Sequence, residues 1–181
     1  GGAAGSVAAG VAGAVRFAGA DAVRYALARM PPGRTGTGAQ GSVRNVLDDP
    51  FFAVRYGHAS AASALRWAAD LGVDRGPAGA FRAGLLGHPS ELELLGALSW
   101  LPERVAAAAR RRRPDAFVRY LEGLAAAWLD CRERRPALPL RGRDAPRGED
   151  EAVARLWLAA AAQTALGTGL RLLGVTAPER L

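Results

Sequence analysis

Apolar residues recur every three to four positions through most of the chain, which is the helical period. The clearest block runs from Asp49 to Arg66, where Phe51, Val54, His58, Ala61 or Ala62, and Leu65 share one helical face. Asp49 can cap the first turn, and Pro50 takes the first helical position, where its missing N–H costs nothing. This helix is predicted to run to about Leu71. Val23, Leu27 and Met30 mark the inner face of an earlier helix, with Asp21 in its first turn. Val11, Val15 and Phe17 outline a weaker one after a loose lead over residues 1–5, and Gly10 and Gly13 each cost it about 1 kcal/mol relative to alanine. His88, Pro89 and Glu91 open a further helix with Leu92, Leu95, Leu98 and Val105 facing inward, and Pro102 should kink or split it. Phe117, Leu121, Leu124 and Trp128 line the next helix, which begins after Pro114. Glu149, Asp150 and Glu151 supply the acidic first turn of the last, whose inner face is read as Val153, Leu156, Trp157, Ala160, Thr164, Gly167, Leu170 and Leu173. Glycine- and proline-rich stretches at 31–41, 72–87 and 134–148 separate these blocks. The expectation is one all-α domain over residues 1–181, a bundle of about five or six helices.

Composition supports helices over strands. Half of the 181 residues are hydrophobic, with alanine and leucine dominant and β-branched residues sparse. No apolar run is long enough to suggest a membrane span. One cysteine, Cys131, permits no internal disulfide, which fits a cytoplasmic protein.

The net charge is +7, and all 24 basic residues are arginine. That excess calls for an acidic partner, nucleic acid first. Two clusters supply much of it. Arg110, Arg111, Arg112 and Arg113 follow one helix, where cations also favour a C-terminus for purely structural reasons. Arg134, Arg135, Arg141, Arg143 and Arg147 face a single acid, Asp144, in the stretch read as a mobile basic loop over 134–148. On the 49–71 helix, Phe52, Arg55, Tyr56 and Arg66 lie opposite the apolar face, and rings beside guanidinium groups suit stacking on unpaired bases next to phosphates. Core packing is the rival role for both rings.

Other chemistry is thin. Gly36, Gly38 and Gly41 have dinucleotide-fingerprint spacing, but no strand precedes them. His58 and His88 stand apart from any metal-ligand cluster or catalytic triad and read as structural. Cys131 beside Arg132 is either a thiol with lowered pKa or a semi-buried structural one. No cofactor, metal or catalytic role is assigned.

The block from Asp49 to Ser60 resembles the Asn-Pro-Val-Tyr-Tyr-Val-Gln-Tyr-Ala/Gly-His-Ala-Arg signature of the anticodon-binding domain of arginyl-tRNA synthetases. Asp21-Ala22-Val23-Arg24 is similar to the Asp-Ala-Leu-Arg tetrad that gives this DALR domain its nickname. Arg119-Tyr120-Leu121-Glu122 and the tail from Thr168 to Leu181 match further family patterns in the same order. The tail match reads as an intact C-terminal end. The resemblance implies the class I synthetase anticodon-binding bundle and tRNA, tRNA(Arg) in particular, as partner.

The departures fall where bases would be met: Asp49, Ala53, Arg55 and Ser60 replace the signature's asparagine, second tyrosine, glutamine and arginine. Trp128-Leu129-Asp130-Cys131 stands in the region of the family's Tyr-His-Arg-Phe-Tyr, and Leu181 replaces its final methionine. The family's adenylate-forming fold and its two signature motifs do not occur in this sequence, so no aminoacylation is expected from it. Two functions remain. One is a non-catalytic tRNA-binding module, a free-standing paralogue presenting tRNA(Arg) to a partner enzyme that makes or uses aminoacyl-tRNA, or a domain excised from a synthetase. The other is a protein-interaction scaffold that kept the bundle and lost RNA binding.

Overall fold

The computed structural model describes residues 2–33, 49–138 and 148–181. Seven α-helices lie in them, and no strand: α1 Gly2–Ala18, α2 Ala20–Arg29, α3 Pro50–Asp70, α4 Pro89–Ser99, α5 Leu101–Arg111, α6 Pro114–Arg134 and α7 Glu149–Leu172. The seventh arises because the block after His88 splits at Trp100, ahead of Pro102, into α4 and α5. α1 begins at Gly2, inside the stretch read as a loose lead. The glycine-rich 36–41 segment lies outside the described residues.

The helix starts follow their local chemistry. Asp49 accepts from the Phe51 N–H at 3.0 Å, with Pro50 just inside the helix. His88 and Glu91 form a reciprocal capping box on α4, the Glu91 carboxylate accepting from the His88 N–H at 2.9 Å. α3 and α7 end alike. Gly72 and Gly174 adopt positive φ, so that the Val73 and Val175 amides bond back to Ala68 and Leu170. At the end of α5 that left-handed position is filled by Arg112, φ 51°, a conformation an L side chain resists.

α3, α6 and α7 pack on one another; α4 covers α6 and α7, α2 leans on α6 and α3, and α5 rests on α6 and α4. Val54 and Ala61 of α3, Leu121, Leu124 and Trp128 of α6, and Leu158, Leu166 and Leu170 of α7 form the main core. Small residues permit the closeness. A Cβ on Gly57 would stand 3.1 Å from Ala125 Cβ, and one on Gly169 only 2.3 Å from a Leu121 methyl.

Several predicted faces are rotated. In α2 the buried residues are Val23 and Tyr25, while Leu27 is exposed, because Tyr25 reaches Phe51 and Glu122 across the bundle. In α4, Leu94 is fully enclosed and Leu92 points outward, since the capping box turns Glu91 into the interior. α7 is enclosed on nearly every side, so Leu158, Ala162, Ala165 and Leu166 join Leu156 and Leu170 inside, while Thr164 is exposed. Phe17 projects into solvent. On α6, Phe117, Leu121, Leu124 and Trp128 are all buried as the periodicity predicts.

Glu91 and Arg155 form the principal buried ion pair, Nε to Oε1 at 2.8 Å. Arg155 also reaches Glu151 at 2.6 Å and donates to the Pro136 carbonyl at 3.2 Å. The guanidinium is thereby fully engaged between α4 and α7. Burial, with Glu91 nearby, pushes the Cys131 thiol up to about 11, so the thiol is structural and Arg132 does not activate it.

Candidate nucleic-acid interface

α3 sets the geometry of the candidate interface. At about 100° per residue, Phe52 and Tyr56 lie within about 40° of each other around the axis, one turn apart. Their rings stack at 5.8 Å between centroids and 10° between planes. Both are half-buried and belong to neither hydrophobic core cluster. Phe51, one residue earlier, turns inward and meets Tyr25 at 5.3 Å. The helix thus directs one ring into the bundle and two along its outer side.

Arg55 does not join the Phe52–Tyr56 ridge as a free cation. Its guanidinium lies over the Phe51 ring, 5.2 Å from the centroid, and its Nε is enclosed without a hydrogen-bond partner among the described residues. Arg66 lies farther along, donating from Nη1 to the Glu179 carbonyl at 3.1 Å. Beside it an open hollow of about 430 Å³ is lined by Arg66, Trp67, Ala69, Asp70 and Arg180.

The chain's last residues are fastened along α3. His58 Nδ1 donates to the Pro178 carbonyl at 2.8 Å, a bond that fixes the tautomer because a carbonyl only accepts. Gly167 leaves room for the imidazole, since a Cβ there would approach Nε2 to 3.0 Å. Asp21 accepts from the Thr176 N–H at 2.8 Å and from Arg24 at 2.9 Å. The Thr176 bonds hold the Asp21 carboxyl below the ordinary range. The first residue of the Asp-Ala-Val-Arg tetrad, Asp21, therefore secures the C-terminal tail, and the last, Arg24, braces Asp21 by pairing with it.

The arginine clusters divide sharply. Arg110 pairs with Glu103 at 2.9 Å, and Arg113 grips buried Asp115 through two bonds of 2.8 and 2.9 Å. Arg119 adds a third bond to Asp115 at 2.9 Å, and the Arg113 bonds above all hold that carboxyl well below the usual range. Arg111 and Arg112 are exposed with no partner among the described residues. Arg134 forms an i, i+4 pair with Asp130 at 2.7 Å, and Arg135 lies 3.6 Å from Glu151. Arg141 and Arg143 lie outside the described residues. Because α5 rests on α4 and α6, the Arg110–Arg113 group is not gathered with Phe52 and Tyr56 on α3.

Sequence reasoning passed over Trp67 and Arg180. Trp67 carried a signal, because positions 52, 56 and 67 fall within about 60° on one side of an ideal helix. Arg180 carried none, as only the folded tail brings it there. No group of three metal-capable side chains occurs among the described residues, and none of their helices is long and apolar enough to cross a membrane.

Residues 54–181 match the DALR anticodon binding domain. The chain belongs to this family. It is 39% identical over 176 residues to the arginine–tRNA ligase of Paenarthrobacter aurescens, covering 92% of this chain and 30% of that protein. The ligase of Pseudarthrobacter chlorophenolicus is 40% identical over 177 residues, with the same coverage. The DALR-family chain thus spans about 30% of the length of these curated relatives. The solved arginyl-tRNA synthetase of Thermus thermophilus superposes with a TM-score of 0.67 at 28% identity, over 89% of this chain and 26% of that one. A putative arginyl-tRNA synthetase from Campylobacter jejuni gives the same TM-score at 18% identity, which bears on the fold alone. These likenesses agree with an all-helical anticodon-binding bundle.

Proposed function

We propose that this DALR bundle binds the anticodon arm of a tRNA, tRNA(Arg) in the first instance, and that the bundle itself is not catalytic. The stacked Phe52–Tyr56 pair carries the reading. Two parallel rings outside the core, on a helix whose other face is fully used by packing, offer a platform for unpaired bases. The exposed cations Arg111 and Arg112 are available for phosphates, whereas Arg110, Arg113 and Arg134 first have to leave carboxylates.

The finer reading is a diverged paralogue that presents tRNA(Arg) to a partner enzyme. Its support is the use made of the altered signature positions. Ser60 is bonded to Trp128, Arg55 covers Phe51, and Ala53 offers no polar group. Exchange of this bundle for the matching part of a homologous arginine–tRNA ligase tests the point. A diverged module should bind bulk tRNA in gel shifts yet fail to support efficient arginylation in the chimera. Full arginylation would identify a working anticodon domain instead, and absence of tRNA binding would leave the interaction-scaffold reading.

A further inference from the structure

We propose that the hollow beside Trp67 is a subsite for one unpaired nucleotide, with the indole as stacking platform, Arg180 as phosphate contact and Asp70 as acceptor for the base edge. The inference rests on the tRNA-binding reading and extends it to a place which that reading leaves unassigned. Trp67 is 48% exposed, unusual for so large an apolar ring, and it forms one wall of the hollow. Its direction matters as much as its exposure. It lies on the Phe52–Tyr56 side of α3, about 16 Å beyond Tyr56 along the axis at about 1.5 Å per residue. Residues 57–62 between them are buried, so the hollow stands as a separate place beyond the enclosed middle of α3.

The hollow's polar groups are free to meet a ligand. Asp70 and Arg180 line the same space without an ion pair to each other or to any other described residue. Arg66 gives only Nη1 to the Glu179 carbonyl, which braces the tail and holds Arg180 at the rim. A π-face, a cation and a carboxylate around one opening match a nucleotide's three parts. The ring stacks on the base, the guanidinium meets the phosphate, and the carboxylate accepts from an exocyclic amine. Asp70 accordingly favours a base bearing such an amine, A, G or C, over U.

Binding of bulk tRNA by the whole chain, followed by anisotropy at fixed low salt, tests this with four variants. Trp67→Leu should weaken binding about tenfold, the loss expected of a base–aromatic stack. Trp67→Phe, which keeps a ring, should stay within about twofold of the wild type. Arg180→Gln should flatten the salt dependence by roughly one phosphate's worth, and Asp70→Asn should narrow the preference for A- or C-containing over U-only oligonucleotides. Tryptophan quenching on tRNA addition gives a readout that does not require Trp67→Leu to fold, because the wild type should quench more than Trp67→Phe. Equal quenching, or unchanged affinity in folded Trp67→Leu, overturns the subsite while tRNA binding stands. Failure of the wild type to bind tRNA overturns both.

Discussion

The indole Nε1 of Trp128 donates to the hydroxyl of Ser60 at 2.8 Å, between α6 and α3. Ser60 passes the bond on to the Gly57 carbonyl at 2.9 Å, one turn back. Both Ser60 and the Trp128 region depart from the arginyl-tRNA synthetase pattern, and the fold joins them in one buried chain. Position 60, where the family signature carries an arginine, is here buried and satisfies a large core ring.

Ser60→Ala removes the acceptor and strands the indole N–H in the interior. A loss of about 1–3 kcal/mol is expected, the usual cost of a buried unpaired donor. Urea melts should show it as a lower midpoint at unchanged slope. In a Trp128→Phe background the same serine substitution should cost clearly less, since no donor is left to strand.

Tyr56→Ala separates the two roles open to its ring. Its stacking partner is Phe52 and neither joins the core, so the melting temperature should move little. Affinity for tRNA should fall by about 1–3 kcal/mol if the ring meets a base. A sharp fall in stability with unchanged tRNA binding would assign the ring to packing.

Replacement of Arg155 by methionine leaves Glu91 as an uncompensated buried charge. Loss of one partner from such a pair costs about 3–5 kcal/mol. Thermal melts should therefore drop far more for Arg155→Met than for Arg134→Met, whose pair with Asp130 is solvent-exposed.

Asp115 and Asp21 are both held below the ordinary carboxylate value, Asp115 chiefly by Arg113 and Asp21 chiefly by Thr176. For a depressed carboxylate, the stability gained is complete above its unfolded value of about 4 and disappears as pH falls through the lower folded one. Asp115→Asn should thus melt below the wild type at neutral pH, and the gap should close in strong acid. A gap that stays constant down to about pH 2 would deny the linkage.

Arg111 and Arg112 are free where Arg110 and Arg113 are paired, so the cluster should not behave as a unit. Arg111→Gln with Arg112→Gln should reduce the slope of log affinity for tRNA against log salt by roughly 0.7–0.9 for each phosphate no longer neutralised. Arg113→Gln should instead lower the melting temperature, through Asp115, with a smaller effect on the slope.

The sequence by itself settled what depends on neighbours along the chain. Asp49 with Pro50, His88 with Pro89, and Pro114 set helix starts, because caps and first-turn prolines act within four residues. The apolar stripe of α6 was equally plain, as one side of that helix is solvated and the period stands out. Only the tertiary structure decided the rest. α7 is covered on nearly all sides, so its alanine-rich sequence holds no contrast from which an inner face can be read. Tyr25 is chosen over Leu27, and Leu94 over Leu92, by partners on other helices. Which arginines remain free depends on where each carboxylate comes to lie, and composition counts them all alike. The Trp67 hollow is lined on one side by Arg180, more than a hundred residues away, in a tail held by His58 on Pro178 and Arg66 on Glu179. Periodicity is a property of one segment, whereas a site between segments exists only once packing has fixed their separation.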